Sequence, residues 1–526
     1  MKWFKRFVLA LLLLTLAGAG VIWILLPPVN IPFSGMLANF FPDYFERPQA
    51  EEMVVAQHLK VPEGFQLSLF AKDVPDARFL MVTDQGDVLV TAQRQGRVLL
   101  LQKDSNGDGV SDGRRVLLEG LSGPNGLDIH KGYLYVAEES QVGRAAFDAQ
   151  RGVITGDYEV LIEGLPAGGN HWRKTIHFGP DGLLYMTVGS SCNVCLEEDE
   201  RRAAMLRFDE SGKYLGIYAT GLRNSAGFDW SPRDGQLYAT DNGRDLLGDD
   251  YPPCELNRIE QGGFYGWPYA NGNRDPDPDF GTGREGVIAA SLPPVYEFRA
   301  HNAPLGIRFL RSSRQPPHYQ GAALVALHGS WNRSEKDGYK VVSLHWGADG
   351  HITAENFLSG FLSDGQVIGR PAEVAEGPEG NIYVSDDYAN AVYRVWPGAG
   401  GRGEISLAAP RAVSDHYNAS EVDDVTRALA LVKGAELYSN AGCSACHLRS
   451  TQEAQSSKAD TQGKVTLRGL SQRYDLAGLD GYLEKPRQPM PPYPGSDSER
   501  RLLSIYLMES ELLPNRTRHQ QGEATQ

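Results

Sequence analysis

Residues 443–447 read Cys-Ser-Ala-Cys-His. Two thiols two residues apart with a histidine directly behind them form the spacing on which a c-type haem is held: each thiol adds to a vinyl group and the imidazole ligates the iron. The pattern assigns Cys443 and Cys446 to covalent attachment and His447 to one axial position. The other axial ligand must come from elsewhere. Met490 stands in the stretch "KPRQPMPPYP", whereas Met508 falls in a helical pattern and His519 in a polar tail, so Met490 is the expected second ligand.

A second constellation lies far upstream. Arg78, Asn125, His171 with Arg173, Arg223 with Asn224, His301 with Asn302, and Arg370 each stand at the entry to an apolar, β-branched run. Brought together, these groups would line a pocket with positive charge, and buried cations without counter-charges are costly unless an anion fills the space. The spacing therefore asks for a polyanionic ligand. Separately, "DSNGDGVSDG" places Asp104, Asn106, Asp108 and Asp112 at positions 1, 3, 5 and 9 of an EF-hand-type loop, with Gly109 at the turn. Position 12 is Arg115 instead of glutamate. Two readings stay open, a structural Ca²⁺ site completed from elsewhere and a plain acidic turn. "CNVC" at 192–195 lacks a following histidine, which leaves a local disulfide or a structural pair, with one thiol over among the remaining three cysteines.

The elements that must position these groups are strands in the middle of the chain and helices at its end. "TDQGDVLVTAQ", "HKGYLYVAEES", "GPDGLLYMTVGS", "SPRDGQLYATDNG", "YQGAALVALHGS" and "GPEGNIYVSDD" repeat one hairpin-like unit six times. Six such units close naturally as a six-bladed β-propeller, an all-β ring that leaves only short, protected sheet edges. Loops entering the innermost strands then converge on one mouth of the central channel, which is where the polar ring stands. Long intervals before His301 and Arg370 leave room for insertions such as "ANGNRDPDPDFGTGREG". After residue 420 the pattern turns helical, "EVDDVTRALALVKGAELYSNAGC" running into the haem motif and "DSERRLLSIYLMES" forming a final helix.

At the other end, "MKWFKR" precedes Phe7–Leu26, twenty residues without a charge. At about 1.5 Å each they span ~30 Å, the thickness of a bilayer's hydrocarbon core. The small residues Ala17–Gly20 lie inside the run, which favours an uncleaved anchor over a secretory signal. Lys2, Lys5 and Arg6 then stay cytoplasmic and everything after Pro27 is exported. The expected location is a bacterial inner membrane, crossed once, with the folded parts in the periplasm. A formal charge of −15 argues against nucleic acid as a partner. The expected organisation is a transmembrane helix over 1–27, a linker over 28–59, the propeller over 60–398, a linker over 399–420, a small all-α cytochrome c domain over 421–515 and a polar tail over 516–526.

Residues 60–398 resemble the PQQ-dependent sugar dehydrogenases, in particular the sorbosone and pyranose dehydrogenase branch related to soluble glucose dehydrogenase. The resemblance is carried by "NHWRKTIHFGPDGLLYMTVGSSCNVC", "GLRNSAGFDWSP", "DNGRDLLGDDYPPCELNRI", "GGFYGWPYANG", "AHNAPLGIRF", "HGSWNR" and "GRPAEVAEGPEG", in that order. It implies pyrroloquinoline quinone, a tricarboxylate, as the polyanion. It further implies His171 as the base that takes the substrate's hydroxyl proton while hydride passes to the quinone, and Arg223, Asn224, Arg370 and Arg333 as cofactor contacts. Gly243 and Arg244 fall where the family offers backbone carbonyls to a Ca²⁺ ion. "GSSC" stands where the soluble enzymes carry an acidic residue after the glycine, and His177 reads as structural. The C-terminal stretch resembles a class I cytochrome c.

Together these readings imply a membrane-anchored quinohaemoprotein that oxidises an aldose, a sugar aldehyde or a related polyol and passes electrons through haem c to a respiratory acceptor. Two rivals differ in kind: a Ca²⁺-dependent propeller lactonase or esterase, which leaves the haem unemployed, and a sugar-binding sensor coupled to a cytochrome.

Overall fold

The computed structural model describes residues 49–398 and, in the C-terminal part, 422, 424–445, 447–448, 465–467, 470, 476–486 and 490–522. The expected transmembrane helix, the linker over 399–420 and Cys446 lie outside the described residues. Among the described residues no helix is long and apolar enough to cross a membrane. The chain divides into two compact units between Ala409 and Pro410.

In the first unit, six antiparallel sheets of four main strands follow one another along the chain. The first blade comprises Ala77–Val82, Val88–Ala92, Arg97–Leu101 and Arg114–Leu118. In the second, Leu127–His130, Tyr133–Ala137 and Val142–Asp148 are followed by Glu159–Ile162, with a short extra pairing at Val153–Ile154. The third blade is built from Lys174–Phe178, Leu184–Val188, Ala204–Phe208 and Tyr214–Thr220. The fourth has Phe228–Trp230, Leu237–Asp241, Cys254–Ile259 and Tyr296–Phe298. The fifth has Pro304–Phe309, Ala323–Leu327, Lys340–Trp346 and Ile352–Leu358. Pro371–Glu376, Ile382–Asp386 and Ala391–Pro397 make the sixth, completed by Phe65–Ala71 from the start of the unit, with Phe65 opposite Pro397 and Leu69 opposite Tyr393.

The first strands of neighbouring blades lie side by side around the channel. The six repeated segments read from the sequence are the second strands, and five of the six are buried at every position, as in Val88–Ala92 and Ile382–Asp386. Burial on both faces removes the alternation of a half-exposed strand, which is why these runs are so uniformly apolar. The long insertion expected before His301 falls between the third and fourth strands of the fourth blade and contains the short helix Glu285–Ala290.

One boundary differs from the sequence reading. The end of the expected linker over 28–59 is part of the propeller unit: helix Glu52–His58 sends Val55 into the cluster that holds Phe65, Phe357 and Phe361, with Ala50 and Leu59 beside it. Burial of these side chains holds the segment against the closing blade.

The second unit contains helices Asp424–Asn440, Leu476–Glu484 and Asp497–Gly522 around one apolar cluster. The first and last pack closely at Gly434, where a Cβ would sit 2.1 Å from the Cβ of Tyr506, so only glycine permits this approach. The last helix runs on through the stretch expected as a polar tail from 516, as far as Gly522.

Candidate active site in the propeller channel

The channel opens into a cavity of about 530 Å³, continuous through His171, Arg173 and Asn224 with a narrower pocket of about 50 Å³ below it. Arg78, His171, Arg173, Arg223, Asn224, His301 and Arg370 all line the wider space, and Asn125 lines the narrower one. The strand-entry positions thus converge as the propeller topology requires. Asn302 is turned away, its amide donating to Asp337 at 3.4 Å.

Charge in the cavity is unbalanced. Five arginines line it against three aspartates, Asp76, Asp245 and Asp387. Arg78 pairs with Asp387 at 2.6 Å, Arg94 with Asp76 at 3.5 Å and Arg223 with Asp245 at 3.2 Å. Among the described residues no carboxylate oxygen lies within 4.0 Å of Arg173 or Arg370. Arg173 donates to Gln93 Oε1 at 2.8 Å and lies over the Trp172 ring, while burial and the neighbouring Arg78 push its pKa down. Arg370 donates to the carbonyls of His328 and Gly329. Asp387 acts on both guanidinium groups, and Asp76 on Arg173, without direct contact, so the described lining holds five arginines against three carboxylates.

His171 is positioned by a short relay. Its Nδ1 lies 2.8 Å from Ser190 Oγ, and Ser190 Oγ donates its hydrogen to the carbonyl of Cys192 at 2.8 Å. A hydroxyl has one hydrogen, so Ser190 must accept from Nδ1–H, and this tautomer leaves the lone pair on Nε2. Burial, followed by the field of Arg223, lowers the imidazole pKa to about 3. The ring is therefore neutral and able to accept a proton. Gly189 is needed at the preceding position, because a Cβ there would lie 2.5 Å from the Cβ of His171. Ser190, in the "GSSC" stretch, thus has a role that the sequence did not disclose.

Two further residues hold this loop. Lys174 is buried, and its Nζ donates to the carbonyls of Glu139, Pro166 and Trp172, pinning both ends of the segment that carries His171. Asn193 sits in the loop closed by the Cys192–Cys195 disulfide, which resolves the open reading of "CNVC". Its backbone and side-chain oxygens accept from Arg223, and its Oδ1 also accepts from the Asp245 amide. Cys254 is a buried thiol, pushed up to about 11 by burial.

The remaining expected site residues fall as follows. Every N–H direction of Arg223 is used within the protein, by Asn193, Asn242, Gly243 and Asp245, so this buried arginine braces the wall as well as lining it. Asn224 takes its backbone position from Asp241, which accepts from its amide. Gly243 lines the cavity and its carbonyl accepts from Arg223 at 2.9 Å. Arg244 directs its side chain into a buried pair with Asp277 at 2.8 Å and a second with Asp279 at 2.9 Å. Arg333 does not line the cavity: its guanidinium is drawn to the carbonyls of Asp249, Ala300 and Glu335 and the carboxylate of Asp250, and Trp331 lines the space instead. His177 sits 3.5 Å from Asp128 between the rings of Phe79 and Phe228. In the acidic loop, Asp104 accepts from the amides of Gly107, Asp108 and Gly109 and pairs with Arg394 at 2.7 Å. Asn106 Oδ1 accepts from the Asp108 amide, and Asp112 accepts from Ser105. An arginine thus supplies the positive charge at the loop's first position.

A pair the sequence reading missed lines the same cavity as His171. His328 Nε2 lies 2.8 Å from Asp387 Oδ1, whose other oxygen takes Arg78. Burial and the Arg370 charge lower His328 to about 3, so it stays neutral and donates to the carboxylate.

In the C-terminal unit, Cys443 and Met490 pack against the same apolar cluster, and the buried Nδ1 of His447 has no hydrogen-bond partner among the described residues. Its carbonyl accepts from Tyr438 at 2.9 Å.

A channel-mouth cavity with a neutral histidine and surplus cations defines a propeller enzyme built to act with an anion. The profile of the Glucose / Sorbosone dehydrogenase family matches residues 76–394. An uncharacterised protein of Borreliella burgdorferi is 30% identical over 364 residues, 66% of this chain and 92% of that protein. A pyrroloquinoline quinone-dependent pyranose dehydrogenase of Coprinopsis cinerea is 23% identical over 411 residues, covering 64% of this chain and 54% of that protein, about half its length. Among solved structures, the holo form of the pyranose dehydrogenase PQQ domain from Coprinopsis cinerea matches with a TM-score of 0.57 and 20% identity, over 66% of this chain and 98% of that one. The iodide structure of the Trichoderma reesei family AA12 enzyme matches with a TM-score of 0.58 and 20% identity, over 66% and 100%. Those two likenesses establish the six-bladed fold. The chain belongs to the glucose/sorbosone dehydrogenase family and is a sugar oxidoreductase.

Proposed function

We propose that this chain is a PQQ-dependent dehydrogenase of aldoses, sugar aldehydes or related polyols, anchored in the bacterial inner membrane by its N-terminal segment, with an attached haem c that carries electrons to a respiratory acceptor. The observation that carries the first part is the excess of arginines over carboxylates in the described cavity lining, where Arg173 and Arg370 touch no described carboxylate, beside a histidine fixed in its proton-accepting tautomer. Planar guanidinium groups suit the carboxylates of pyrroloquinoline quinone. PQQ held by these arginines would supply the hydride acceptor, and Ca²⁺ held at the Gly243 carbonyl would act on it as a Lewis acid. His171 Nε2 takes the hydroxyl proton, Ser190 holds the ring, and Lys174 and Asn193 fix the loops on either side. A bound tricarboxylate also offsets the arginine field that depresses His171, so the imidazole gains proton affinity when the cofactor is in place.

Support for the haem rests on the Cys443–His447 motif, Met490 and the helices described in the C-terminal unit. Each substrate would yield two electrons and the single haem iron would take one at a time, so it would be reduced and reoxidised twice per sugar oxidised. The test is reconstitution of the full chain with PQQ and Ca²⁺, followed by dye-linked oxidation of a sugar panel and stopped-flow haem reduction. Arg173→Ala should weaken PQQ binding, read by quenching of protein fluorescence, and His171→Ala should abolish turnover with the haem spectrum intact. Turnover without quinone, or unchanged quinone affinity in Arg173→Ala, refutes the assignment.

A further inference from the structure

On the outer face of the fifth blade, away from the channel, three groups with metal-binding chemistry meet. His318 lies in the turn Pro317–Tyr319 between the first and second strands, His345 on the third strand and Glu355 on the outermost strand. Ser343 pairs with Glu355 and His345 with Thr353, so the pleat puts His345 and Glu355 on one face of the sheet. The rings of His318 and His345 stack at 4.2 Å with 20° between their planes, and Tyr319 packs edge-on against both. One ligand atom from each of the three residues lies within 4.8 Å of the others.

We infer that His318, His345 and Glu355 form a binding site for a borderline-soft divalent cation, Zn²⁺ in the first instance. Four ligands tetrahedral about zinc at ~2.0–2.1 Å stand about 3.3 Å apart. Here His318 Nε2 is 3.0 Å and His345 Nε2 is 3.9 Å from the same oxygen of Glu355, values on either side of that edge length. Small rotamer changes of His318 and Glu355, both about half exposed, close the difference.

The ring nitrogens lie at the edges of the stacked imidazoles, so an ion would sit beside the stack, next to Glu355. His345 Nε2 also lies 2.9 Å from Ser343 Oγ, a hydrogen bond that the cation would replace. The depression around the site, about 390 Å³, is also lined by His351 and Asp349, which offer a fourth donor, and by Arg233, whose guanidinium is held to the Trp346 carbonyl and opposes the charge of the ion. Two imidazoles and one carboxylate favour Zn²⁺ and its late-transition neighbours over Ca²⁺ or Mg²⁺, which prefer oxygen donors. The ion would tie the blade's unpaired outer edge, Ile352–Leu358, to the turn beneath the second strand. Because binding to the folded state alone stabilises it, zinc should raise the melting temperature of the propeller.

The experiment is calorimetric titration of ZnCl₂ into the full-length, chelator-stripped protein at pH 7.5, with melting recorded alongside. The expected result is saturable binding in the micromolar range, unaffected by excess Ca²⁺. His345→Ala and Glu355→Gln should each weaken it by about tenfold or more. His318→Gln sits on an exposed turn and keeps hydrogen-bonding capacity, so it should do the same with the fold unaltered. Absence of saturable binding, or equal affinity in wild type and His318→Gln, overturns the site.

Discussion

Lys174→Met tests whether one buried ammonium holds the loop that carries His171. Methionine keeps the length and apolar stem of lysine but removes all three donors, and with them the partners of the Glu139, Pro166 and Trp172 carbonyls. A charge-assisted hydrogen bond contributes ~1.5–3 kcal/mol, and a buried acceptor left alone costs ~1–3 kcal/mol. The ammonium's own burial works against it, since desolvation lowers its pKa to about 8. The net loss should then be ~3–5 kcal/mol, a large share of the ~5–15 kcal/mol by which domains are stable. For a unit of this size, that lowers the melting temperature by about 6–10 °C at roughly 2 °C per kcal/mol. Differential scanning calorimetry of the propeller transition reads the stability. Sugar oxidation at saturating quinone reads the displacement of His171, with an expected fall of about tenfold or more in kcat. A melting shift under 2 °C together with unchanged turnover would show that the loop is held by other contacts.

Two more outcomes follow from the packing and the charges. In the quinone-free protein His171 titrates near 3 instead of near 6.5, so between those values the unfolded chain binds more protons and stability must fall as pH drops. At pH 4.5 the contribution, discounted because the ring lines an open cavity, is ~2 kcal/mol; His171→Gln should flatten the urea-midpoint curve between pH 6.5 and 4.5, and parallel curves would refute the shift. Gly434→Ala drives a methyl group against Tyr506 and should destabilise the C-terminal unit by ~1–3 kcal/mol, with the propeller transition unmoved.

Local features were legible in the sequence and cross-blade pairings were not. The second strands stood out because burial on both faces forces an apolar run, and the strand-entry polar residues stood out because the repeat sets their phase. His328 and Asp387 meet although 59 residues separate them, and nothing local in either segment announces the partner. Lys174 reads as the polar start of a strand until its three carbonyl partners are seen. Ser190 looked like the loss of an acid when it sets a tautomer. Arg333 was read from the neighbourhood of "HGSWNR", but the carbonyls of Asp249 and Ala300, supplied by another blade, decide where it points.

The pairing of Phe65 with Pro397 fixes the order in which the ring can be completed. A nascent polypeptide releases Phe65–Ala71 at the outset and must keep that segment available until Ala391–Pro397 has been synthesised, so the circle stays unlatched through almost the whole of its own translation. A product that stops short of the sixth blade is left with two open ends, a ready substrate for proteases and chaperones. Only a chain long enough to begin the C-terminal unit can have shut the circle behind it.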